Sequence, residues 1–311
     1  MSSIAVIGAG LAGLTACALL KEAGHDVVVL DKGRGLGGRM ATRRLGALSF
    51  DHGAQFFTAR SPRFRALVGH WTARGVAAPW HGDRYVGMPG MSAPARLLAD
   101  GIAVLGSCEV AGLERGGRGW TVHCKDNSMD VPGNGAFDAI VLAIPAPQAL
   151  PLAGRSLEPA LARVRFAPCW ALMLAGEVAM EDSHLTPDDP VVAWIADTAS
   201  KPQRNKQQPA IVVHARGQWS RDNLEIEREE AAGLLMANVR RLMPRLGAPS
   251  TVMAHRWRYA LVEQVATRPC LWDGTRRIGA CGDWCIGPRV EAAFLSGEAM
   301  AREVIAGLAA S

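Results

Sequence analysis

The chain has 311 residues, 49% of them hydrophobic, seven cysteines and a formal net charge of +5. This length predicts two domains or one large interleaved unit, and the lack of an apolar run of about 18 residues argues against a membrane span. The basic residues form no run or stripe, so we expect no nucleic-acid partner, and an odd number of scattered cysteines is typical of reduced thiols in the cytoplasm.

The N-terminal segment predicts a strand, a helix and a second strand. Residues 4–8 (IAVIG) are an apolar strand, and because they start so early we expect no signal peptide. Residues 11–24 (LAGLTACALLKEAG) predict a helix closed by Gly24, and residues 26–30 (DVVVL) predict the second strand. This order is typical of the first unit of a dinucleotide-binding α/β domain.

The glycines between the first strand and the helix have the spacing of a dinucleotide-binding turn. Gly8 permits the tight turn, Gly10 lets a diphosphate approach the backbone, and Gly13 lets helix and strand pack closely. The exposed N–H groups at the start of the helix then receive the phosphates. Asp31 ends the second strand and is placed to accept hydrogen bonds from a ribose diol.

The middle of the chain predicts strands of two kinds. Residues 101–124 predict strands with a hairpin around the glycine-rich turn 116–119, and residues 137–147 (FDAIVLAIPAP) predict a buried strand. From residue 151 onward, strand-like stretches follow one another without helices between them, which predicts a mostly antiparallel sheet. These stretches cover residues 169–177, 191–197, 210–215 and 250–260.

Three further segments complete the expected elements. Residues 197–209 are polar and predict a mobile loop. Residues 224–244 predict a helix, with acids in its first turns, arginines in its last, and Ser220 or Asp222 as its cap. Residues 278–307 return to an apolar strand, a glycine turn and a long helix.

We therefore expect an α/β fold built from two interleaved domains. The nucleotide-binding domain comprises residues 1–54, 96–150 and 271–311, so both ends of the chain contribute to it. The substrate domain, a mostly antiparallel sheet with helices, comprises residues 55–95 and 151–270.

A second cluster of glycines and arginines follows the second strand. Residues 34–44 (RGLGGRMATRR) hold three glycines and four arginines. The segment resembles the G-G-R-x-x-[S/T] motif with which flavin amine oxidases and their relatives wrap the flavin diphosphate and ribityl chain. The matching residues are Gly37, Gly38, Arg39 and Thr42. Gly38 lets the backbone pass close to such a cofactor, and Arg39 adds positive charge beside its diphosphate; the alternative is an arginine-rich surface loop.

Three other segments resemble the same family. Residues 137–147 resemble its strand beside the cofactor, and in residues 279–284 (GACGDW) Asp283 matches the aspartate that hydrogen-bonds the ribityl hydroxyls. Residues 289–297 (RVEAAFLSG) resemble the helix start beneath the flavin ring. A helix N-terminus at that place stabilises the negative charge that an arriving hydride leaves on the flavin.

Longer segments along the whole chain are similar to bacterial renalases. They are residues 31–44, 50–64, 84–99, 255–261 and 282–297. Two positions depart from the family pattern. Asp31 stands where glutamate is more common, and Ala292 stands where glycine is common. The extra methyl group of Ala292 would crowd the flavin edge or shift the helix.

The resemblance implies non-covalent FAD in a Rossmann-type domain, interleaved with the substrate domain as in p-hydroxybenzoate hydroxylase. Cys285 is near enough to the cofactor motifs to leave covalent attachment open as an alternative. The implied FAD-binding residues are Gly8, Ala9, Gly10, Leu11, Ala12, Gly13, Asp31, Lys32, Gly37, Gly38, Arg39, Met40, Ala54, Gln55, Phe56, Val110, Gly282, Asp283, Arg289 and Val290.

Two segments supply most of the expected substrate-binding residues. His52 and Gln55 fall where the chain of the family passes the flavin, although His52 is equally a candidate for a buried structural histidine. In residues 255–259 (HRWRY), alternate residues share a face of the predicted strand. An aromatic face there suits stacking on a nicotinamide or closing a flavin pocket, and the alternative is sheet core. The expected substrate-binding residues are His52, Gln55, Arg96, His255, Trp257 and Tyr259.

No metal site is expected. Cys281 and Cys285 form a C-x3-C pair, and without further ligands this pair is a poor metal site and a better candidate for structural cysteines.

The renalase resemblance implies oxidation of dihydro-NAD(P) isomers reduced at C2 or C6, with hydride transfer to flavin N5 and O2 reduced to H2O2. Because the nicotinamide gains aromaticity, positioning dominates and no catalytic acid or base is assigned. The basic charge suits a diphosphate substrate. The alternatives are an oxidase of a small amine, a non-oxidative flavoprotein such as an isomerase or mutase, and a protein that binds FAD without turnover. The expected partners are a small dinucleotide and O2.

Overall fold

A computed structural model describes residues 1–126, 131 and 136–309 of the chain. Its strands are β1 (Ser3–Ile7), β2 (Asp26–Leu30), β3 (Arg43–Leu45), β4 (Leu48–Phe50), β5 (Phe57–Thr58), β6 (Ala77–Pro79), β7 (Arg84–Gly87), β8 (Ala103–Leu105), β9 (Val110–Gly116), β10 (Gly119–Cys124), β11 (Ala136–Phe137), β12 (Ala139–Leu142), β13 (Arg165–Gly176), β14 (His184–Leu185), β15 (Val192–Asp197), β16 (Ala210–Ala215), β17 (Pro249–Gln264), β18 (Leu271–Asp273) and β19 (Ile278–Ala280). Its helices are α1 (Leu11–Glu22), α2 (Pro62–Ala73), α3 (Ala93–Leu98), α4 (Ala146–Ala153), α5 (Glu158–Leu161), α6 (Gly217–Asp222), α7 (Arg228–Leu242) and α8 (Val290–Ala309).

A mostly parallel sheet of six strands, in the order β18-β19-β12-β1-β2-β8, has the predicted strand–helix–strand unit at its centre. β1 runs parallel to β2 and to β12, and β18 joins the edge antiparallel to β19. Side chains of β1 alternate between two cores, as the period of a strand requires. Ile4 and Val6 pack with α1 and α8, whereas Ala5 and Ile7 pack with the small sheet β11-β10-β9.

A second sheet contains five antiparallel strands in the order β14-β15-β16-β13-β17, which confirms the predicted antiparallel region. The long strands β13 and β17 place Cys169 beside Trp257 and Ala171 beside His255. α7 covers one face of this sheet and buries Leu235 against it. A third sheet, β5-β7-β6, packs with α2 around an aromatic core that includes Phe64.

The helix predicted over residues 224–244 exists, but its predicted caps are wrong. α7 starts at Arg228, with Glu227 at the N-cap and no side-chain cap. Ser220 and Asp222 belong to the separate helix α6. The hydroxyl of Ser220 accepts a hydrogen bond of 3.0 Å from the backbone N–H of Trp170 in β13. This hydroxyl therefore links α6 to the five-stranded sheet and does not cap α7.

The loop at residues 197–209 is anchored, which corrects the prediction of a mobile segment. Lys201 is 1% exposed and Arg204 is 6% exposed, and both side chains bind the buried carboxylate of Asp51. A polar composition indicates a solvated loop unless the polar side chains find buried partners, and the sequence gives no sign of such a distant partner.

Cys108 and Cys124 lie side by side with their α-carbons 6.1 Å apart, and the expectation of reduced thiols stays a prediction. The antiparallel pairing of β9 and β10 sets Cys124 opposite Val110 and so brings the two cysteines together. Within the described ranges, no helix is both long enough and apolar enough to span a bilayer. The predicted domain boundaries and the closer likeness to p-hydroxybenzoate hydroxylase stay predictions.

Candidate active site

A cavity of about 1600 Å³ lies where the ends of β1 and β2 meet β17 and the segment that follows β4. Typical small-molecule pockets have about 300–1,000 Å³, so this cavity has room for a dinucleotide cofactor together with a second ligand. One part of its wall consists of glycine-rich backbone near α1, and another part consists of histidine and aromatic side chains.

The first glycine turn closes tightly on its protein side and is open on its cavity side. Gly8 adopts φ +113°, a conformation that favours glycine. A β-carbon at Gly13 would collide with the carbonyl oxygen of Gly8, whereas a β-carbon at Gly10 would meet no protein atom within 4 Å. α1 begins at Leu11 without a side-chain cap and without an acid in its first turn. Its first N–H groups are therefore available to an anionic ligand.

The second glycine cluster packs directly on the first. The N–H of Gly37 donates to the carbonyl of Ala9 at 2.9 Å, and Gly10 and Gly37 form an isolated parallel bridge. Gly38 follows with φ +53°, and a β-carbon there would lie 3.4 Å from the α-carbon of Gly10. The two motifs thus form one continuous backbone surface, which fits a diphosphate between them.

Asp31 already serves the protein in this site. Its carboxylate accepts hydrogen bonds of 2.6 Å from the N–H of Ala9 and 2.6 Å from the N–H of Gly33. The side chain therefore ties β2 to the first glycine turn, and the residue also lines the cavity.

Arg39 and Asp283 form a two-pronged ion pair across the cavity wall. The guanidinium donates to the two carboxylate oxygens at 2.9 and 2.6 Å, and a third bond of 3.2 Å reaches the carbonyl of Ala260. The sequence assigned Arg39 to the diphosphate of the cofactor and Asp283 to its ribityl hydroxyls. The structure brings the two side chains together as one ion pair in the cavity lining, so the site offers a hydrogen-bond donor and an acceptor side by side.

A cluster of rings lines the cavity opposite the glycine turns. His52, which is 6% exposed, stacks on Trp257 with ring centroids 5.1 Å apart, and its edge contact with His255 has a centroid separation of 4.7 Å. The carbonyl of His52 accepts hydrogen bonds from Trp257 Nε1 at 2.9 Å and from His214 Nε2 at 3.2 Å. The segment that carries His52, strand β16 with His214, and strand β17 with Trp257 are therefore linked through the ring contacts and the carbonyl group of His52.

Burial keeps these imidazoles neutral. Desolvation lowers the pKa of His52, His214 and His255 from 6.5 to about 4. Nearby positive charge acts in the same direction, because Arg43 lowers the pKa of His52 and Arg228 lowers the pKa of His255. At neutral pH the wall is therefore an uncharged, polarisable surface.

The predicted alternation of side chains along residues 255–259 between the two faces of β17 is confirmed. Arg256 and Arg258 both bind Glu225, at 3.0 and 2.6 Å, on one face of the strand. On the other face His255 contacts Trp257 at a centroid distance of 4.5 Å. Tyr259 packs on Phe166 with their ring centroids 5.7 Å apart.

The cavity brings together most of the predicted cofactor and substrate residues, with three exceptions. Ala9 and Gly13 lie behind the glycine turn, where Ala9 acts through its backbone hydrogen bonds. Arg96 lies exposed on α3 and is absent from the cavity lining that the structure describes, so its part in substrate binding stays a prediction. The short helix turns its basic residue outward because Ala93 and Ala95 take the buried face.

At Ala292 and Cys285 the sequence left the fit and the attachment of the flavin open. Both residues are fully buried and neither lines the cavity, whereas their neighbours Ala293 and Trp284 do. Desolvation raises the pKa of the Cys285 thiol to about 12, so the thiol is a poor nucleophile. Among the described residues, no group of three or more metal-binding side chains comes together.

Sequence reasoning missed several residues of this wall. His214 and Trp194 line the cavity from β16 and β15, and Asp51 anchors the segment that carries His52. His214 comes from a stretch that was predicted only as an apolar strand. A histidine inside such a stretch was the one available signal, because the partners lie far away along the chain.

The comparisons with known proteins agree with this geometry. A profile of an NAD(P)-binding Rossmann-like domain matches residues 6–71, and a profile of flavin-containing amine oxidoreductases matches residues 80–305. The chain belongs to the flavin-containing amine oxidoreductase family. Its cofactor is accordingly FAD, bound without a covalent link.

Solved structures share the fold of this amine oxidoreductase family member at low sequence identity. A protein from Exiguobacterium sp. 255-15, provisionally described as a protoporphyrinogen oxidase, has a TM-score of 0.78 at 11% identity, over 98% of this chain and 99% of that one. Cyclohexylamine oxidase from Brevibacterium oxydans IH-35A has a TM-score of 0.73 at 14% identity, over 99% of both chains. Putrescine oxidase bound to putrescine has a TM-score of 0.71 at 13% identity, over 98% of this chain and 99% of that one.

A curated relative matches only a short segment of this flavin-containing chain. The 4,4'-diapophytoene desaturase of Staphylococcus aureus (strain Newman) is 44% identical over 50 residues, which is 16% of this chain and 10% of the desaturase. A match of that length says nothing about the substrate.

Proposed function

We propose that this protein is an FAD-dependent oxidase of dihydro-NAD(P) isomers reduced at C2 or C6, similar to renalases. It returns NAD(P)+ and passes the electrons to O2. The observation that carries the proposal is the charge of the cavity. Its described lining holds ten Lys or Arg side chains and three carboxylates. Four of the ten are in ion pairs, Arg39 with Asp283, Lys125 with Glu109, and both Arg256 and Arg258 with Glu225. The other six suit a cofactor diphosphate together with a second anionic nucleotide.

None of the three carboxylates in the described lining is without a partner. Asp31 binds two backbone N–H groups, Glu109 binds Lys125 at 2.8 Å, and Asp283 binds Arg39. A protonated amine substrate would need such a carboxylate or an aromatic cage for its charge. The charge of this lining therefore favours an anionic substrate, whereas its rings, such as Trp194 and Trp257, would suit either class of substrate.

The neutral ring cluster supports the same reaction. Oxidation of a dihydronicotinamide restores an aromatic ring, so the protein has to orient the substrate and needs no strong base. Trp257 and His52 offer a flat, uncharged surface for stacking, and their position is fixed by the hydrogen bond from Trp257 Nε1 to the carbonyl of His52. Positioning of this kind is what the proposed reaction requires.

The residues present fit FAD. The uncapped start of α1 and the adjoining turn at Gly37 would hold its diphosphate, and the ion pair of Arg39 with Asp283 would hold the adjoining linker. When bound, FAD supplies the acceptor for the hydride and the route of the electrons to O2. The walls of the cavity then bind and orient the nicotinamide and limit the access of water.

The test is anaerobic mixing of the holoenzyme with borohydride-reduced NAD isomers, followed by the loss of flavin absorbance. We expect the 2- and 6-dihydro isomers to bleach the flavin far faster than 4-dihydro NAD(P)H, and H2O2 to form when air is admitted. Bleaching by 4-dihydro NAD(P)H at the same rate would contradict the proposal.

A small-amine oxidase is the second candidate, and the shared fold with cyclohexylamine and putrescine oxidases favours it. Bleaching by cyclohexylamine or putrescine, without bleaching by the dihydronicotinamides, would establish this activity instead. If neither class bleaches the flavin, a non-oxidative flavoprotein or a protein that binds FAD without turnover takes its place.

A further inference from the structure

A buried charged cluster lies directly behind the wall that carries His52. The carboxylate of Asp51, 1% exposed, accepts four hydrogen bonds from different parts of the chain. Thr42 Oγ1 donates at 2.7 Å, the N–H of Met91 at 2.9 Å, Lys201 Nζ at 3.2 Å and the guanidinium of Arg204 at 2.6 Å. The cations bring the anchored loop 197–209 against the wall.

Lys201 does more than bind Asp51. Its ammonium also donates to the side-chain carbonyl of Gln55 at 3.2 Å. An ammonium group only donates, so it fixes Gln55 with Oε1 turned inward. The Nε2 end of the same carboxamide donates to the backbone carbonyls of Asp51 and, at 3.3 Å, of Gly53. The whole carboxamide is thereby held flat against its own chain segment.

Gln55 is also part of the cavity wall, although it is only 5% exposed. Its Nε2 lies 3.5 Å from Nε2 of His214, the ring that binds the carbonyl of His52. Without the donor from Lys201, Oε1 would be a buried acceptor lacking a partner, which is costly. The side chain would then be stabilised by turning into the cavity, where water can reach it.

We propose that Lys201 is a positioning residue of the active site, which holds the Gln55 carboxamide against the wall and keeps the space beside His214 open for the substrate. The proposal rests on the proposed function in taking this cavity as the substrate site. Lys201 itself is absent from the described lining, so its effect on the substrate is indirect. Its two contacts toward the cavity wall are with Gln55 and Asp51, and the proposal assigns the effect to Gln55.

The experiment compares holoenzyme variants that differ at three positions. Lys201→Met removes the donor but leaves the Asp51–Arg204 ion pair at 2.6 Å, so the buried carboxylate keeps a counter-charge. Lys206→Met is the matched control, because Lys206 is an exposed lysine of the same loop. Gln55→Ala removes the side chain that is expected to move.

With 6-dihydro-NAD as substrate, we expect Lys201→Met to keep its FAD and to raise KM about tenfold or more, on the scale of one lost charge-assisted hydrogen bond. Lys206→Met should change KM less than about twofold. Adding Lys201→Met to Gln55→Ala should leave KM unchanged, because no side chain remains to enter the cavity. If Lys201→Met still raised KM when combined with Gln55→Ala, the proposal would be overturned and Lys201 would have a purely structural role.

A spectroscopic readout separates this proposal from the proposed function. In 15N–1H spectra of the holoenzyme, the Gln55 side-chain amide pair is assigned by its loss in Gln55→Ala. Lys201→Met should shift or broaden this pair, and Lys206→Met should not. If no dihydronicotinamide bleaches the wild-type flavin, the proposed function fails, while this measurement still decides the role of Lys201. An unchanged amide pair in folded Lys201→Met protein would refute it. Should Lys201→Met not fold, Lys201→Gln, which keeps a shorter donor, should give a smaller change of the same kind.

Discussion

Gly10 and Gly13 are three residues apart, yet an added methyl group would meet different surroundings at each. At Gly13 it would strike the carbonyl oxygen of Gly8 and lie 2.9 Å from the β-carbon of Ala143, whereas at Gly10 it would point into space free of protein atoms within 4 Å. The same substitution can therefore separate the packing role of one glycine from the ligand role of the other.

We predict that Gly13→Ala lowers the stability of the protein itself, because the strand and helix must move apart by a few tenths of an ångström or more. Gly10→Ala should leave the stability of the FAD-free protein within about 0.5 kcal/mol and should weaken FAD binding strongly. The measurements are urea unfolding of deflavinated protein and the FAD dissociation constant. Equal behaviour of the two variants would contradict the assignment.

Asp31 illustrates how one side chain serves both the fold and the ligand. Because its carboxylate binds the N–H groups of Ala9 and Gly33, Asp31→Ala should weaken FAD binding by about 1–3 kcal/mol. Asp26→Ala, at the exposed start of the same strand, is the control and should bind FAD like wild type. Titration of each deflavinated variant with FAD measures its FAD affinity. Unaltered affinity in Asp31→Ala would show that the tie to the glycine turn is dispensable.

At the scale of elements, β17 connects the substrate side of the cavity to the sheet. Its register with β13 sets Trp257 opposite Cys169, and alternation then divides the rings from the arginines. Only the ring face reaches the wall that contains His52. The strand therefore sets its rings against His52, while its arginines, which also line the cavity, bind Glu225.

Replacement of Trp257 tests this surface. We expect Trp257→Ala to slow flavin reduction about tenfold or more while FAD stays bound, because the reacting atoms must approach to about 3–3.5 Å and small misplacements are costly. Trp257→Phe keeps a ring but removes the donor to the His52 carbonyl, and should give an intermediate rate. Rapid anaerobic mixing gives the rates, and absorbance gives the FAD content. Release of FAD by Trp257→Ala would place the ring in cofactor binding instead.

For the whole molecule, the buried neutral histidines make stability depend on pH. The pKa values of His52 and His214 are lowered by burial from 6.5 to about 4. Between these values the unfolded chain binds protons that the native state does not. The stabilisation is thus complete above about pH 6.5 and is lost as the pH falls towards about 4. Burial raises the pKa of Asp51, but Lys201 and Arg204 outweigh it and lower this pKa from 3.8 to about 2. The stabilisation by ionised Asp51 is therefore complete above about pH 4 and is lost only as the pH falls towards about 2.

We predict that the free energy of unfolding falls between pH 7 and pH 5, by about 1–2 kcal/mol for each histidine whose pKa is lowered to about 4. His214→Asn should make this fall smaller, because one histidine no longer titrates on unfolding. His70→Asn, at an exposed position on α2, is the control and should leave the fall unchanged. Urea unfolding of the FAD-free proteins at pH 7 and pH 5 measures this fall in the free energy of unfolding. A fall of the same size in His214→Asn would contradict the prediction.

The sequence by itself determined the parts of this protein that depend on local spacing. The glycines at 8, 10 and 13, the apolar strands around them and the second cluster at residues 34–44 specify backbone shapes within a few residues, so they predicted the parallel sheet and the flavin motif. The alternation at residues 255–259 likewise follows from the period of a strand. Local geometry leaves little freedom in such segments.

Only the tertiary structure decided which distant side chains meet. Asp51 and Lys201 are 150 residues apart, and their contact turned a polar loop into an anchored one. The same holds for the pairing of Arg39 with Asp283, and for the outward position of Arg96 on α3. A buried ion pair forms only where the packing of several elements brings both partners out of water together, and no spacing along the chain encodes that arrangement.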